Sequence, residues 1–299
     1  MRVTLTGASG LIGSRVAAAL RERGDEVTVL SRSGGRAGVV RWANTKAEPP
    51  PAVAITGRDA VINLMGENVA QRWTDVAKRE IRESRELGTR QLVEGIRRLP
   101  ASERPAVLVS MSAIGFYGAR GDEPVDESAP AGDDFLASVV ESWEREALAA
   151  EELGVRVAVA RTGVVLAEGG GALDKMLPPF KLGVGGPVAG GRQYVPWVHL
   201  DDVVGALLFL ADNDATSGAY NVTAPEPVTN KELSKALGRV LRRPAVAPVP
   251  AFALKLLYGE MGSIVTTGVR AVPKRLSEAG YEFRQQDLQD ALAQTTRRA

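Results

Sequence analysis

The stretch Thr6-Gly7-Ala8-Ser9-Gly10-Leu11-Ile12-Gly13 decides the fold of this 299-residue chain. It follows an apolar segment, residues 2–6, with the pattern of a strand, and it opens a predicted helix over residues 10–23. Glycines at this G-x-x-G-x-x-G spacing permit a tight turn at Gly7, close approach of a pyrophosphate at Gly10 and close helix packing at Gly13. The N–H groups of the helix N-terminus then face the anion. The stretch predicts a dinucleotide-binding turn; the alternative is a glycine-rich turn without a ligand.

The end of the second predicted strand, residues 26–30, indicates which dinucleotide fits. An NAD site usually places Asp or Glu there, which bonds the ribose 2′-OH and repels a 2′-phosphate. Here Ser31 and Arg32 follow instead. Ser31 can donate a hydrogen bond, and Arg32 can make a charge-assisted contact with a phosphate. The pair predicts NADP(H), with Arg36 as a weaker second candidate; the alternative is that Arg32 is a solvated surface arginine.

Strand and helix patterns alternate through the first two thirds of the chain, which predicts an α/β fold with a Rossmann-type, doubly wound parallel sheet. From about Gly163 the chain is rich in glycine and has the pattern of loops. A helix, a strand and further helical runs follow it. We therefore expect an NADP(H)-binding domain over residues 1–165, to which the chain returns around residues 192–225. Most of residues 166–299 are expected to form a smaller C-terminal α/β lobe for a substrate or partner.

Charge and composition exclude several classes of protein. Lys and Arg number 37 against 36 Asp and Glu, a formal net charge of +1, which argues against nucleic-acid binding. The chain has no cysteine and one histidine, His199, so thiolate nucleophiles and cysteine- or histidine-rich metal sites are excluded and no metal is expected. We see no signal peptide and no run of about 20 apolar residues, and we expect a cytoplasmic protein that does not bind membranes.

The motifs resemble those of the extended short-chain dehydrogenase/reductase superfamily, the NAD(P)-binding epimerases and dehydratases. Within it the chain is most similar to the atypical branch of epimerase family proteins, which have a C-terminal domain of unknown function. The matching stretches are TGASGLIG (6–13), SR (31–32), VINLMGENV (61–69), RW…K..I..SR..GT (72–89), SAIGFYG (112–118), FLASVVESWE (135–144), RTGVVL (161–166), LGVGGPVAGGRQYVPWVHLDD (182–202) and VPKRLSEAGYEF (272–283). The resemblance implies an NADP(H)-dependent oxidoreductase or epimerase-like enzyme acting on an unidentified small molecule.

The same resemblance implies a set of cofactor-binding residues. Glu80 and Arg85 belong to this set, although as helix residues they could equally be solvated surface charges. Arg161 is expected to be a buried structural arginine. The full predicted set is Gly7, Ser9, Gly10, Leu11, Ile12, Gly13, Ser31, Arg32, Leu64, Met65, Gly66, Glu80, Arg85, Met111 and Val165.

The chain departs from the superfamily at its catalytic motif. Typical members use Tyr-x-x-x-Lys, in which the lysine lowers the tyrosine pKa so that the phenol can exchange a proton. None of the five tyrosines here has a lysine four residues on. Ser112 and Tyr117 are the remaining catalytic candidates, and the alternative for Tyr117 is a packed loop aromatic.

Four further residues are candidates for a substrate pocket: Trp73, Lys175, Trp197 and His199. For His199 the alternative is a hydrogen-bonded structural histidine. Its neighbours Asp201 and Asp202 are predicted to cap the following helix. The Trp143-Glu144 pair is predicted to supply core packing and a solvated carboxylate.

Two hypotheses for the function follow. The first is the enzyme, in which Ser112 orients a substrate oxygen while Tyr117 or water handles the proton. The second is a non-catalytic NADPH-binding or sensing protein, which the missing Tyr/Lys pair suggests. In either case we expect a monomer or a homodimer.

Overall fold

The computed structural model describes residues 1–35 and 37–296, with the backbone alone for residues 253, 255, 257 and 258. Its strands are β1 (Arg2–Thr6), β2 (Glu26–Ser31), β3 (Val39–Arg41), β4 (Ala60–Asn63), β5 (Val107–Ala113), β6 (Pro124–Val125), β7 (Arg156–Thr162), β8 (Val164–Leu166), β9 (Tyr194–Val195), β10 (Trp197–His199), β11 (Gly218–Val222), β12 (Val228–Thr229) and β13 (Arg270–Ala271). Its helices are α1 (Leu11–Glu22), α2 (Ala52–Ile55), α3 (Asp75–Arg97), α4 (Phe135–Leu148), α5 (Gly171–Lys181), α6 (Leu200–Asp212), α7 (Asn230–Leu241), α8 (Ala251–Tyr258), α9 (Gly262–Thr266), α10 (Lys274–Glu278) and α11 (Leu288–Thr296).

A seven-stranded sheet in the order β11-β7-β5-β4-β1-β2-β3 forms the centre of the molecule, and all its strand pairs are parallel. The strand order reverses between β1 and β4, which opens a crevice at the carboxyl ends of these two strands. The predicted Rossmann-type, doubly wound sheet is confirmed. The predicted return of the chain corresponds to α6 and β11, the latter of which extends the sheet beyond β7.

Helices cover both faces of the sheet, which explains why its strands are apolar on both sides. One core contains α1 and α6, with Val16, Leu20 and Leu207 fully buried against β1, β4 and β5. The other core contains α2, α3 and α4, with Leu92 and Ile96 of α3 fully buried. The two faces thereby fix α1 and α3 on opposite sides of the crevice.

The C-terminal part has its own core and also returns to the sheet domain. Helices α5, α7 and α11 enclose a third apolar cluster around the buried Trp197. Leu276 and Phe283, by contrast, belong to the core of α1 and α6. The carboxylate of the buried Asp202 accepts hydrogen bonds from the N–H groups of Arg284 (2.7 Å) and Gln285 (2.9 Å), which ties this last segment to α6.

Helix α5 and strand β3 are two elements in which the structure differs from the sequence predictions. The glycine-rich stretch predicted as loop contains α5, which includes Pro178 and Pro179 in its interior. Leu173, Leu177 and Phe180 are buried along it, so tertiary packing outweighs the weak helix propensity of this segment. The edge strand β3 was not predicted, because its three residues are too few to show a period.

Candidate cofactor site

The glycine turn between β1 and α1 has the geometry that the sequence predicted. Gly7 has a φ of +68°, and a Cβ there would lie 2.5 Å from the carbonyl oxygen of Leu64. A Cβ on Gly13 would lie 2.2 Å from the carbonyl oxygen of Gly7. At Gly10, however, the single atom within 4 Å of such a Cβ is that same oxygen, at 3.4 Å. Two glycines are therefore required by the protein's own packing, whereas Gly10 leaves open space beside the turn.

The N-terminus of α1 faces this open space without a competing acid. Gly10 is the N-cap, it supplies no side-chain cap, and the first turn of α1 contains no acidic residue. The first N–H groups of a helix lack partners within the helix and carry its positive dipole end. Such a terminus can hold a phosphate.

Buried polar side chains hold the carboxyl ends of the strands beneath the turn. The Thr6 hydroxyl donates to Asn63 Oδ1 (2.8 Å) and accepts from the N–H of Leu64 (2.9 Å). Asn63 in turn donates to the hydroxyl of Thr89 on α3 (3.0 Å). These bonds fix β1, β4 and α3 relative to one another at the base of the crevice.

An open cavity of about 630 Å³ extends from this turn along the ends of β1, β2 and β4. Eight of the predicted cofactor residues line it: Gly7, Ser9, Gly10, Ser31, Arg32, Leu64, Met65 and Gly66. Sequence reasoning missed Trp42, Thr45, Glu67 and Ser84, which also line it. Trp42 and Thr45 come from the connection after β3, which no quoted motif covers. Glu67 and Ser84 lie within the quoted stretches 61–69 and 72–89 but were not singled out there.

Arg32 lies on the rim of the cavity and is exposed. The Ser31 hydroxyl accepts a hydrogen bond from the N–H of Ser33 (3.3 Å), which turns the chain at the end of β2. Within the described residues Arg32 forms no ion pair with a carboxylate, and the single acid in the cavity lining, Glu67, comes from the loop after β4. The end of β2 is thus suited to a 2′-phosphate. Arg36, the weaker candidate, lies outside the described residues.

The other predicted cofactor residues lie outside the cavity lining. Leu11, Ile12 and Gly13 form the first turn of α1, and Met111 and Val165 are half-buried in β5 and β8. Glu80 forms an ion pair with Lys46 (2.9 Å). This contact agrees with the alternative that Glu80 is a solvated surface charge.

Arg85 is a half-buried cation next to the cavity wall. A Cβ on Gly66 would lie 2.9 Å from its guanidinium carbon, which itself lies 5.1 Å from the centroid of the Trp143 ring. Its Nη1 donates to the carbonyl of Ile81 (3.1 Å). Burial lowers the pKa of Arg85 to about 10, although the charge of Glu67 opposes this effect. The guanidinium is therefore charged at neutral pH and lies against the backbone that borders the cofactor cavity.

Ser112 belongs to a buried ion-pair network. Its hydroxyl donates to Glu144 Oε1 at 2.5 Å, and Arg161 donates to both oxygens of this carboxylate, at 2.8 and 2.7 Å. All three residues are 6% exposed or less. Arg161 is the buried structural arginine that was predicted. The prediction of a solvated Glu144 was wrong, because the carboxylate is enclosed and neutralised by Arg161.

Tyr117 is part of the same network and is completely buried. Its hydroxyl donates to Asn221 Oδ1 (2.7 Å) and accepts from Arg161 Nη1 (3.0 Å). Burial raises the pKa of Tyr117, although the charge of Arg161 opposes this effect. A catalytic phenol needs the opposite shift and access to the substrate. The geometry of Tyr117 therefore corresponds to the alternative of a packed aromatic residue. The hydroxyl hydrogen of Ser112 is likewise already donated to Glu144.

Two of the four predicted pocket residues are structural. Trp197 is 1% exposed, packs in the third core and donates to the carbonyl of Glu226 (3.1 Å). His199 is 4% exposed, and its Nδ1 accepts the N–H of Asp201 (3.1 Å), so His199 itself caps α6 in place of the predicted aspartates. Burial lowers the pKa of His199, against the charges of Asp201 and Asp202, and the ring is neutral at pH 7. Both side chains are enclosed by the protein, which for His199 corresponds to the alternative of a hydrogen-bonded structural histidine.

The other two, Trp73 and Lys175, both contact or belong to the loop after β4. Trp73 is half-buried on the loop after β4 and packs against Phe135 at the start of α4. The ammonium group of Lys175 on α5 donates to the carbonyl of Ala70 on the same loop. Both residues therefore stand where the C-terminal part meets the sheet domain.

Residues 1–35 and 37–296 contain no cluster of three or more His, Asp or Glu that could hold a metal ion. Over the same part of the chain, no helix is long and apolar enough to cross a membrane.

Comparison with known proteins agrees with this geometry. The model of the NAD dependent epimerase/dehydratase family matches residues 3–223, and that of a domain of unknown function (DUF1731) matches residues 249–295. The chain is 41% identical to "Epimerase family protein SDR39U1 homolog, chloroplastic" of Arabidopsis thaliana, over 98% of this chain and 86% of the relative. The crystal structure of human epimerase family protein SDR39U1 (isoform 2) with NADPH is similar over the full length of both chains, at 33% identity and a TM-score of 0.90. A Corynebacterium glutamicum structure described as a nucleoside-diphosphate sugar epimerase has 32% identity and a TM-score of 0.78, over 99% of this chain and 58% of that one. This chain belongs to the NAD dependent epimerase/dehydratase family.

Proposed function

We propose that the chain binds NADP(H) in the crevice at the carboxyl ends of β1, β2 and β4. The observation that carries this proposal is the open space at Gly10, beside a turn in which Gly7 and Gly13 have no room for a side chain. The uncapped N-terminus of α1 suits the pyrophosphate, and the exposed Arg32 on the cavity rim suits the 2′-phosphate. The NADPH in the similar human protein supports the same assignment.

Titration of NADPH into the wild-type protein and a Gly10→Ala variant tests this proposal. A methyl group at Gly10 fits the protein, with its nearest contact at 3.4 Å, but it occupies the space given to the pyrophosphate. We expect NADPH to bind the wild type and to bind Gly10→Ala at least about tenfold more weakly. The thermal stability of the cofactor-free variant should be close to that of the wild type. Equal NADPH affinity in the two proteins would contradict the proposal.

As the main candidate function, we propose an oxidoreductase or epimerase-like enzyme that acts on a small molecule. NADP(H), when bound, supplies or accepts a hydride, so the protein contributes binding, orientation and polarity. Trp73 and Lys175, at the junction with the C-terminal part, are the residues that we assign to the substrate side. Ser112 and Tyr117 are assigned to holding the ends of β5, β7 and β11 and not to proton transfer, because their hydroxyl groups are buried and bonded within the protein.

A specific observation favours a second candidate, a non-catalytic NADPH-binding or sensing protein. It is that both hydroxyl groups predicted to be catalytic are enclosed in the Glu144–Arg161 network. Turnover of NADPH with a panel of carbonyl compounds and nucleotide sugars separates the two candidates. Turnover that survives in a stable Ser112→Ala/Tyr117→Phe variant supports the enzyme with a proton path outside these residues. No turnover, together with partner proteins captured only in the presence of NADPH, supports the sensor.

A further inference from the structure

A row of cations follows one face of α3. Lys78, Arg82 and Arg85 are spaced by four and three residues, which places them on the same side of a helix. This side packs against α4, and each cation lies over an aromatic ring. The Nζ of Lys78 and the guanidinium carbon of Arg82 lie 5.0 and 5.6 Å from the centroid of the Phe135 ring, and Arg85 lies over Trp143. The row therefore extends along the contact between α3 and α4, from Arg85 beside the cofactor cavity to Lys78 near the start of α3.

The outer end of the row carries two aromatic rings in contact. Trp73 packs edge-to-face on Phe135, with centroids 5.1 Å apart and an interplanar angle of 68°. Both rings are half-buried, so each keeps an exposed part. Lys78 lies 5.9 Å from the centroid of Trp73 and forms an ion pair with Glu260 of the C-terminal part. The rings therefore stand at the junction of the two parts of the molecule, where small-molecule sites are common.

Arg82 has hydrogen-bonding capacity left over in this cluster. Its Nη2 donates to the Ser138 hydroxyl (2.9 Å), and within the described part of the chain it pairs with no carboxylate. A guanidinium has five N–H donors in a planar fork that matches carboxylate or phosphate oxygens. Because Glu260 neutralises Lys78, Arg82 is the cation of this cluster that is left without a counter-ion.

We propose that Trp73, Lys78, Arg82 and Phe135, the cation–aromatic cluster, bind the substrate of this protein through an oxyanion carried on a flat, unsaturated ring. The oxyanion, a carboxylate or a phosphate, pairs with Arg82, and the ring packs on Trp73 and Phe135. This inference rests on the proposed function, since it names the chemical class of the substrate of the proposed enzyme.

Tryptophan fluorescence can report this binding directly. Trp73 is half-buried, whereas Trp42, Trp143 and Trp197 are 4%, 3% and 1% exposed, so a ligand at the cluster changes chiefly the Trp73 emission. The probes are phenyl phosphate and benzoate, added to the full chain without NADP(H), and cyclohexanecarboxylate as the saturated counterpart of benzoate. We expect saturable binding of at least one unsaturated probe, and the comparison of the two shows whether the site takes a phosphate or a carboxylate.

Three variants separate this site from other anion sites. Arg82→Gln is expected to weaken binding of the probe about tenfold, whereas Arg82→Lys, which keeps the charge, should lose less. Arg97→Gln is the matched control, since Arg97 is exposed on the same helix about 22 Å further along. Gly10→Ala should not change binding of the probe, because it alters only the cofactor turn.

Equal probe affinity in wild type and a folded Arg82→Gln variant would overturn the proposal, as would the absence of saturable binding of both unsaturated probes. If benzoate binds saturably, equally tight binding of cyclohexanecarboxylate would also overturn it. A separate NADPH titration keeps the two proposals distinguishable. A protein that binds the probes in an Arg82-dependent way but does not bind NADPH would refute the proposed cofactor and leave the cation–aromatic cluster as an anion site.

Discussion

The buried pair of Glu144 and Arg161 offers the sharpest test of how the ends of β5 and β7 are held. The two side chains are each 6% exposed and are joined by hydrogen bonds of 2.8 and 2.7 Å. Glu144→Gln keeps the shape of the side chain and an oxygen that can accept from Ser112, but it removes the charge. Removing one partner of a buried ion pair costs about 3–5 kcal/mol, because the other charge stays buried without compensation. We place the expected loss in unfolding free energy at about 3 kcal/mol, because Arg161 keeps its bond to Tyr117.

Urea unfolding measures this loss, since the midpoint falls by the lost free energy divided by the slope of the transition. With a slope of about 3 kcal/mol per molar urea, the midpoint should fall by about 1 M. The double variant Glu144→Leu/Arg161→Met removes both charges and is expected to cost less than Glu144→Gln alone. A Glu144→Gln midpoint equal to that of the wild type, or a double variant less stable than the single one, would refute the reasoning.

Three further predictions concern stability and the cofactor turn. Burial holds the pKa of His199 below its unfolded value, so the unfolded chain binds more protons below about pH 6.5 and the stability should fall from pH 7 to pH 5. His199→Asn keeps an N-cap acceptor without titrating, and its urea midpoint should vary less over this pH range than that of the wild type. An equal change of the urea midpoint with pH in the two proteins would argue that His199 is not the titrating group. Gly13→Ala, whose methyl would lie 2.2 Å from the Gly7 carbonyl oxygen, should lower both the melting temperature and the NADPH affinity, and a variant unchanged in both would show that the turn can relax. Tyr117→Phe should lower stability by about 1–3 kcal/mol, because Asn221 and Arg161 lose a buried partner, and leave the NADPH dissociation constant unchanged; weaker NADPH binding would place the phenol in the site.

The parts of the fold predicted from sequence are those in which local chemistry and global packing agree. The β1–α1–β2 unit needs Gly7 and Gly13 for steric reasons that act within a few residues, so the motif alone indicates it. The side-chain environments of Glu144 and His199 were not predictable in this way. Glu144 is buried because Arg161, 17 residues away, lies opposite it on β7, and one sequence shows no such pairing. His199 is a helix cap because of backbone geometry at the start of α6, which residue type alone does not reveal.

The C-terminal part illustrates the same limit. Glycine and proline in residues 169–191 indicate loops, yet Leu173, Leu177 and Phe180 bury one side of a helix there. These side chains are buried because they pack against α7 and α11 in the third core, and this burial stabilises the helix. Trp197 is a second example: it was a candidate for a substrate pocket, whereas its indole packs in that core and donates to the carbonyl of Glu226.

The ratio of the NADPH and NADH dissociation constants, measured by calorimetry, tests the central claim most directly. We predict that the wild-type protein binds NADPH more tightly than NADH, and that Arg32→Ala reduces this preference at least about tenfold, because it removes the charge on the 2′-phosphate side of the cavity. Arg21→Ala, which removes an exposed charge from the last turn of α1, should leave the preference unchanged. An Arg32→Ala protein with the wild-type NADPH affinity and the wild-type ratio would contradict the account.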